Sequence, residues 1–233
     1  WGLSMDNILG KLDPNGKLSF SDITLTFDGA TKIEGFSDTL NRFFEHNQNV
    51  VAVNAPTVTE IGSSACKKLL YQSDRLRSVN FPALETIGDD GLYLGFNFSN
   101  NITEALFPKL KTIGGYGLYD GFTPAHNMTN IDFSSLETVG EYGMNRCFSA
   151  GTATTPTKIQ IVSFPKLKKI GYMGLGSCFW YGTSITAASF NALEEVDDYG
   201  LSNVFYGCTN LTTISFPKLI TIGTAAFSTA FKN

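Results

Sequence analysis

The side chains that could carry acid–base or nucleophilic chemistry are few in this chain of 233 residues, and they are scattered. Its two histidines, His46 and His126, lie far apart in the sequence, and neither is near a recurring serine or cysteine. Nucleophilic catalysis needs a base within hydrogen-bonding reach of the nucleophile and a third group that orients the base. No such trio can be assembled, so the sequence predicts a protein that is not an enzyme and that uses no cofactor.

Acidic pairs, glycine-rich runs and cysteines also have structural explanations. Neighbouring acids such as Asp89 and Asp90, or Glu194 and Glu195, are expected at solvated turns or strand edges rather than as a catalytic pair. The glycine-rich run at 114–117 recurs along the chain, so it carries no information about phosphate binding. Four cysteines without a C-x-x-C pair or a histidine cluster predict that there is no structural zinc site.

Composition limits the class of partner. The chain has a formal net charge of −4 with 17 basic residues, which argues against nucleic acid or an anionic membrane as the partner. No apolar run approaches the roughly 20 residues that span a bilayer, so no membrane insertion is expected in this segment. The chain opens at Trp1 and its first methionine is Met5, and we expect a fragment or mature form of a longer exported protein.

The dominant feature is a phrase that returns seven times. Each copy opens on an apolar residue, here called the zero position, and successive zero positions are 26, 26, 26, 31, 26 and 26 residues apart. A fixed period of about 20–50 residues predicts a solenoid, in which each coil buries its apolar face against its neighbours. The extra residues of the one longer gap lie in a polar loop around 151–157. The zero positions are Ala55, Phe81, Phe107, Phe133, Phe164, Phe190 and Phe216.

Each phrase contains a strand signature. In the fullest copy, Leu76, Val79 and Phe81 form the L-x-x-V-x-F pattern of a repeat strand, whose branched apolar residues point into the coil. Pro82 follows directly, and proline ends a strand at a corner because it lacks an N–H donor. The phrase therefore predicts one strand per coil, ending at the zero position.

A second, shorter strand is predicted by Leu84 and Ile87, and Gly88 after it predicts a turn with positive φ. One position of this strand alternates in charge from coil to coil. Because stacked strands lie about 5 Å apart, the alternation predicts ion pairs between coils. The residues of this charged column are Glu85, Lys111, Glu137, Lys168 and Glu194.

The rest of the phrase predicts a helical turn. A small residue, a large apolar residue and a phenylalanine recur in the spacing of Gly91, Leu92 and Phe96. An i, i+4 apolar pair lies on one face of a helix, so one short helical turn per coil is expected on the outer wall. Tyr116 and its equivalents Tyr142 and Tyr199 are expected to pack between coils at the start of that turn.

The pattern resembles the BspA-like leucine-rich repeats of bacterial surface proteins, the type also described from Treponema. The last copy, CTNLTTISFPKLITIGTAAFSTAF, carries the C-x-x-L, I-G and A-F elements of that family at Cys208, Ile222 and Ala226. The resemblance extends over about residues 50–231, although the repeat here is longer than is usual in the family. It implies display on the cell surface and binding to host or other surface partners.

The expected fold class is therefore an α/β solenoid. It is a leucine-rich-repeat-like right-handed coil of about seven to eight repeats of 26 residues, strand-rich with one short helical turn per repeat. Residues 1–24, which include a turn at 13–16, are expected to cap the N-terminal end. Residues 25–233 form the solenoid, whose first coil, 25–49, is degenerate and contains a helix N-cap at Ser37.

Cysteine pairing is left open by the sequence. Cys147 and Cys178 occupy equivalent places in adjacent coils, where either a disulfide or two buried free thiols can form. Cys66 lies in a core-facing column and is expected to be a buried free thiol.

Two surfaces are candidates for binding. The loops before the strands form a rim with aromatic residues, which are typical contact anchors when exposed, although the same rings could fold back over the coil ends. The outward face of the first strands mixes small, polar and apolar residues, and its alternative is an ordinary solvated sheet face. The rim residues are Phe98, His126, Trp180, Tyr181 and Tyr206, and the sheet-face residues are Asn80, Leu106, Asp132 and Ile161.

The leading functional hypothesis is an extracellular, adhesin-like interaction module of a bacterial cell-surface protein. Its partner would be a protein or a glycan on a host or neighbouring cell surface. The alternative is a non-binding structural spacer, or a component of a phage appendage or other particle, in which the solenoid only extends or stacks. The ligand and the oligomeric state are left open.

Overall fold

The chain folds as a β-solenoid, a stack of coils built from short strands. Its described part contains eighteen strands, none longer than five residues, and no helix. The first two strands, β1 (Lys11–Leu12) and β2 (Leu18–Ser19), pair antiparallel, and the strands of the coils pair parallel. The computed structural model describes residues 11–12, 18–19, 22–34 and 44–232.

The first strand of each coil ends one residue before the zero position. Its strands are β3 (Ile23–Thr26), β5 (Val50–Asn54), β7 (Ser78–Asn80), β9 (Glu104–Leu106), β11 (Asn130–Asp132), β13 (Ile161–Ser163), β15 (Ala187–Ser189) and β17 (Thr213–Ser215). They form a five-stranded sheet, from β3 to β11, and a three-stranded sheet, from β13 to β17. The interruption falls at the coil that carries the inserted loop at 151–157.

The second strand of each coil forms one continuous sheet of eight strands. In every strand the second residue is apolar, and all but the last, Ile222, are buried. The predicted two strands per coil are therefore confirmed. The strands are β4 (Lys32–Ile33), β6 (Glu60–Ile61), β8 (Thr86–Ile87), β10 (Thr112–Ile113), β12 (Thr138–Val139), β14 (Lys169–Ile170), β16 (Glu195–Val196) and β18 (Thr221–Ile222).

Stacked columns of phenylalanine form the centre of the solenoid. The ring centroids of Phe81 and Phe107 lie 5.5 Å apart, and those of Phe107 and Phe133 lie 5.2 Å apart. A second column stacks Phe96 on Phe122 at 5.1 Å. All these rings are buried, and burying a phenylalanine side chain contributes roughly 1.5–3 kcal/mol. The predicted stacking of equivalent residues is confirmed.

The predicted helical turn, and with it the α/β class, is wrong. The third side of each coil is instead a series of tight turns in which every fourth residue has a positive φ, such as Asp90 (57°) and Leu94 (54°). Its N–H groups alternate in direction. That of Leu92 donates to the Gly117 carbonyl of the next coil at 2.8 Å, and that of Tyr93 donates to the Asp90 carbonyl of its own coil at 3.2 Å.

A helix does not fit here because the coils are too close together. Backbone bonds such as that from the Leu92 N–H to the Gly117 carbonyl join this side of successive coils directly, so the coils are spaced here like paired strands, about 4.8 Å apart, whereas a helix with its side chains is about 10 Å across. A helix would also bond its N–H groups within itself and could not connect neighbouring coils. The four-residue period of the turn series still keeps Leu92 and Phe96 on the same buried side, as their spacing indicates.

The glycine column seven residues after the zero position serves close packing and not positive φ. The φ of Gly88, Gly114 and Gly140 is not positive, so that expectation is wrong. A Cβ on Gly114 would lie 2.8 Å from the backbone nitrogen of Asp89 in the preceding coil. The positive φ occurs two residues later, at residues such as Tyr116.

The ion pairs of the charged column are confirmed. The Nζ atom of Lys111 lies 2.7 Å from Oε2 of Glu85, and Nζ of Lys168 lies 2.8 Å from Oε2 of Glu137. Both pairs join neighbouring coils and are exposed to water. Exposed pairs contribute little to stability, so their main effect is on the register of the coils.

The four cysteines are buried free thiols, including Cys147 and Cys178, so no disulfide joins these two coils. The predicted cap at 1–24 lies mostly outside the described residues. The turn at 13–16 and the helix N-cap at Ser37 lie entirely outside them, and all three stay predictions.

Candidate binding surfaces

Three of the predicted rim residues come together where the turn series of two adjacent coils ends. The rings of Trp180 and Tyr181 are stacked, with centroids 5.1 Å apart and planes 21° apart. Tyr206, from the next coil, lies edge-on to both, at 6.2 Å from Trp180 and 5.7 Å from Tyr181. All three side chains are half-buried. These three residues are called the rim cluster.

The backbone fixes the rim cluster. Tyr181 has a φ of 57°, and its N–H donates to the Tyr206 carbonyl at 2.8 Å, which joins the two coils. Gly207 has a φ of 73°, and a Cβ there would overlap the Tyr181 ring. Gly207 thus leaves the space that this ring fills. The cluster is a preformed surface whose rings have apolar faces and polar N–H or O–H edges.

Phe98 is exposed and belongs to a second aromatic group. It meets Tyr71 edge-on at 5.7 Å, and Tyr71 meets His46 at 6.2 Å. The Nζ atom of Lys68 lies 5.2 Å from the centre of the Tyr71 ring, which is a cation–π contact. Tyr71 is missing from the predicted rim, although it stands at the same repeat position as Trp180. Counting along that column would have identified it.

His126 is separate from both aromatic groups. Its Nδ1 lies 2.6 Å from the carbonyl oxygen of Thr155, in the inserted loop. Just beyond this loop, Nζ of Lys158 donates to Oδ1 of Asn127 at 2.8 Å. His126 therefore holds the inserted loop against the preceding coil.

Two polar residues of the sheet face bond to the protein itself. Nδ2 of Asn80 donates to Oδ1 of Asn54 in the preceding coil at 3.3 Å. Oδ1 of Asp132 accepts the N–H of Ser134 at 3.0 Å. These bonds stabilise the strand ends, and they leave less of each side chain for a ligand.

The two apolar residues of the sheet face lie on different sheets. Leu106 is half-buried on β9, whereas Ile161 is 65% exposed at the start of β13. Between them, at the interruption, the rings of Phe133 and Phe164 are tilted by 43° at 6.2 Å instead of stacked. The four sheet-face residues therefore do not form one continuous patch.

A row of tyrosines crosses the turn series of five coils. Tyr116 and Tyr142 stack between coils at 4.8 Å, as expected, but Tyr116 and Tyr199 are also more than one-third exposed. Three further tyrosines belong to this row but not to the predicted column. Tyr172 stands one residue before the column, and Tyr93 and Tyr119 stand three residues after it. The row is called the tyrosine belt and consists of Tyr93, Tyr119, Tyr116, Tyr142, Tyr172 and Tyr199.

Burial shifts the pKa values of the titratable groups of the core. Burial raises the pKa of the Cys66 and Cys178 thiols to about 12, so these sulfurs stay protonated and unreactive at neutral pH. Burial also raises the pKa of Asp120, although Nε of Arg146 lies 3.2 Å from its Oδ1. Over the described residues, no three His, Cys, Asp or Glu side chains are grouped as metal ligands. The same part of the chain has no apolar helix of membrane-spanning length.

The chain matches the model of a known protein family. A model of the BspA type leucine rich repeat region matches the chain in six copies, over residues 39–170 and 93–230. Together these two ranges include most of the chain. No curated protein matches it.

Several solved structures are also similar to the chain, among them the following three. A leucine rich repeat protein of T. pallidum (TpLRR) is 16% identical over 97% of this chain and 87% of its own, with a TM-score of 0.46. A leucine-rich repeat protein from Bacteroides ovatus is 15% identical over 99% and 80%, with a TM-score of 0.28. A leucine rich cell surface protein from Faecalibacterium prausnitzii is 14% identical over 96% and 73%, with a TM-score of 0.40.

Proposed function

The chain belongs to the BspA-type leucine-rich repeat family, and from this premise we propose that it is a binding module displayed on a bacterial cell surface. Such a repeat scaffold is typical of protein-interaction modules. The adhesin-like role, the extracellular location and the contact site are the proposed part. The partner is a protein or a glycan on a host or neighbouring cell, and the rim cluster is the contact site.

The single observation that supports this site is the grouping of Trp180, Tyr181 and Tyr206 at one place on the rim. Tryptophan and tyrosine are enriched among the residues that contribute most to binding. Here three such rings are half-buried and held by backbone bonds between coils, so little ordering is needed when a ligand binds. A surface of this kind can stack against a sugar ring or accept an apolar side chain.

The test is an array of host matrix proteins and glycans probed with the protein and with the double variant Trp180→Ala/Tyr181→Ala. We expect the protein to bind one class of immobilised protein or glycan on the array. The double variant should bind the same class at least about tenfold more weakly. The matched control is Ile220→Ala, which also removes an apolar side chain, 81% exposed, but lies outside the rim. Circular dichroism checks that both variants remain folded. Unchanged binding by the double variant would exclude the rim cluster as the contact site.

A structural spacer is the second candidate, and the continuous stacking of the coils favours it. The second strands form one sheet of eight strands, and the turn series adds backbone bonds between coils, such as that from the Leu92 N–H to the Gly117 carbonyl at 2.8 Å. In this role the array shows no binding by the unmodified protein.

A further inference from the structure

The tyrosine belt is a second surface, separate from the rim cluster, and its ring arrangement changes along its length. Tyr116 and Tyr142 are stacked, with planes 17° apart. Tyr172, in contrast, meets Tyr142 at 68° and 5.4 Å, and Tyr199 at 72° and 6.0 Å. Edge-to-face rings do not cover both of each other's faces, so this half of the belt presents open ring surface.

A one-residue offset in the sequence causes the change. Tyr172 stands eight residues after its zero position, whereas Tyr142 and Tyr199 stand nine residues after theirs. The N–H of Tyr142 donates to the Tyr172 carbonyl at 2.8 Å, and the N–H of Met173 donates to the Asp198 carbonyl at 3.3 Å. Tyr172 therefore shares a column with Asp198, and its side chain is 39% exposed.

Carboxylates stand on both sides of Tyr172 in this column. Glu141 occupies the equivalent place one coil earlier and Asp198 one coil later, and both are exposed. Among the described residues, no lysine or arginine forms an ion pair with either of them, whereas Glu85 and Glu137, each directly before a second strand, are both paired. Oδ1 of Asp198 accepts the Thr224 N–H, which leaves its Oδ2 for a ligand. This part of the belt thus combines open rings with two carboxylates that are not paired with a cation.

The N-terminal end of the belt shows how such groups are used within the protein. There, Nζ of Lys67 lies 5.7 Å from the centre of the Tyr93 ring and 3.1 Å from Oδ2 of Asp90. One cation thus contacts a tyrosine face and a carboxylate of the adjacent coil. Around Tyr172 the same two kinds of group are present, and none of the described lysines or arginines pairs with them.

We propose that the half of the belt formed by Tyr142, Tyr172 and Tyr199, with Glu141 and Asp198, binds basic side chains of an extended polypeptide, arginine in preference to lysine. A guanidinium group is planar, so it can stack on a tyrosine ring while it pairs with a carboxylate. Glu141 and Asp198 are two coils apart, about 9–10 Å. In the extended polyproline II conformation three residues make one turn and cover about 9.3 Å, so side chains i and i+3 return to the same side, and arginines at every third position fit the two carboxylates.

The probe is a fluorescein-labelled peptide with four arginines, one at every third residue, separated by serine and glycine. Its binding is measured by fluorescence anisotropy at low ionic strength, beside the same peptide with lysine and with glutamate in place of arginine. We expect the arginine peptide to bind, the lysine peptide to bind more weakly, and the glutamate peptide not to bind. Added salt should weaken binding because the charges are exposed.

Two variants locate the site. Tyr172→Ala should weaken binding about threefold, and Glu141→Gln/Asp198→Asn about fivefold. The matched control Glu85→Gln/Glu137→Gln removes the same net charge from another face and should change binding by less than about twofold. Tyr206→Ala, in the rim cluster, should have no effect, so this result is independent of the proposed function.

Four outcomes overturn the proposal. The first is that the unmodified protein does not bind the arginine peptide. The second is that the control pair weakens binding as much as Glu141→Gln/Asp198→Asn, which would mean that only overall charge matters. The third is that Tyr172→Ala binds like the unmodified protein. The fourth is Tyr172-dependent binding of a neutral oligosaccharide, such as maltoheptaose, without binding of the arginine peptide, which would make the belt a glycan site.

Discussion

The adjacent glycines Gly114 and Gly115 test the packing that holds the coils together. An added Cβ on Gly114 would lie 2.8 Å from the nitrogen of Asp89 and 2.9 Å from the carbonyl carbon of Gly88, both backbone atoms of the preceding coil. On Gly115 the nearest atom would be 3.5 Å away, which is ordinary van der Waals contact. Both glycine-to-alanine substitutions reduce the conformational entropy of the unfolded chain equally. The difference between the two variants in the free energy of unfolding therefore measures the clash.

The chain itself contains a measure of the clash. Asp197 replaces glycine in this column in one coil, and the adjacent hydrogen bond between coils, from Met173 N–H to the Asp198 carbonyl, is 3.3 Å long. The equivalent bond from Asp90 to Gly115 is 2.8 Å long. We expect Gly114→Ala to lengthen that bond similarly and to lower the free energy of unfolding by about 1–2 kcal/mol. Gly115→Ala, whose φ is not positive, should be neutral or stabilising by up to about 0.5 kcal/mol.

Urea unfolding followed by far-UV circular dichroism measures both variants under one condition. Hydrogen exchange adds a local measurement. The exchange rate of the Asp90 amide should increase in Gly114→Ala and stay the same in Gly115→Ala. The reverse substitution, Asp197→Gly, should slow exchange at Met173. Equal midpoints for the two alanine variants would refute the argument that backbone contact between coils selects glycine in this column.

Three further predictions concern the core, the charged column and the thiols. Phe107→Ala should cost about 3–5 kcal/mol in urea unfolding, whereas Phe231→Ala, at a partly exposed ring, should cost less than half as much. Hydrogen bonds from lysine lower the pKa of Glu85 and Glu137. Their contribution is therefore present above the ordinary glutamate pKa and lost as pH falls through the lowered value, so the stability difference from Glu85→Gln/Glu137→Gln should shrink between about pH 7 and about pH 3. The four buried thiols should resist Ellman's reagent in the folded protein and react fully in guanidinium.

The parts of the fold that follow from side-chain period could be predicted from the sequence. The strand before Phe81 and the pairing of Glu85 with Lys111 both depend on residues that recur at the coil spacing, so counting along the chain is sufficient. The turn series could not be predicted in this way. An i, i+4 apolar pair such as Leu92 and Phe96 fits a helix and a four-residue turn period equally well. Only the distance between coils excludes the helix.

The two candidate surfaces differ in how far the sequence predicts them. Trp180, Tyr181 and Tyr206 were predicted as rim residues of the loops before the strands, and the grouping of Trp180 with Tyr206 follows from their shared column. Tyr172 was missed because it stands one residue away from the tyrosine column. Counting along equivalent repeat positions identifies the residues that stack between coils. It does not identify a residue such as Tyr172, which is displaced from those positions by one.

The departures themselves are concentrated in one part of the solenoid. The inserted loop, the interruption of the first sheet, the offset Tyr172 and Asp197 all lie within residues 133–206, the part of the chain that also contains the rim cluster. Stacking selects regular columns, because each irregular residue disturbs two neighbouring coils, as the lengthened bond beside Asp197 shows. Irregularities that persist together in adjacent coils therefore need a reason other than packing. Binding at the rim cluster and at the tyrosine belt supplies such a reason for the aromatic residues of this part. The array experiment tests it for the rim cluster, and the peptide experiment tests it for the tyrosine belt, in the same three coils.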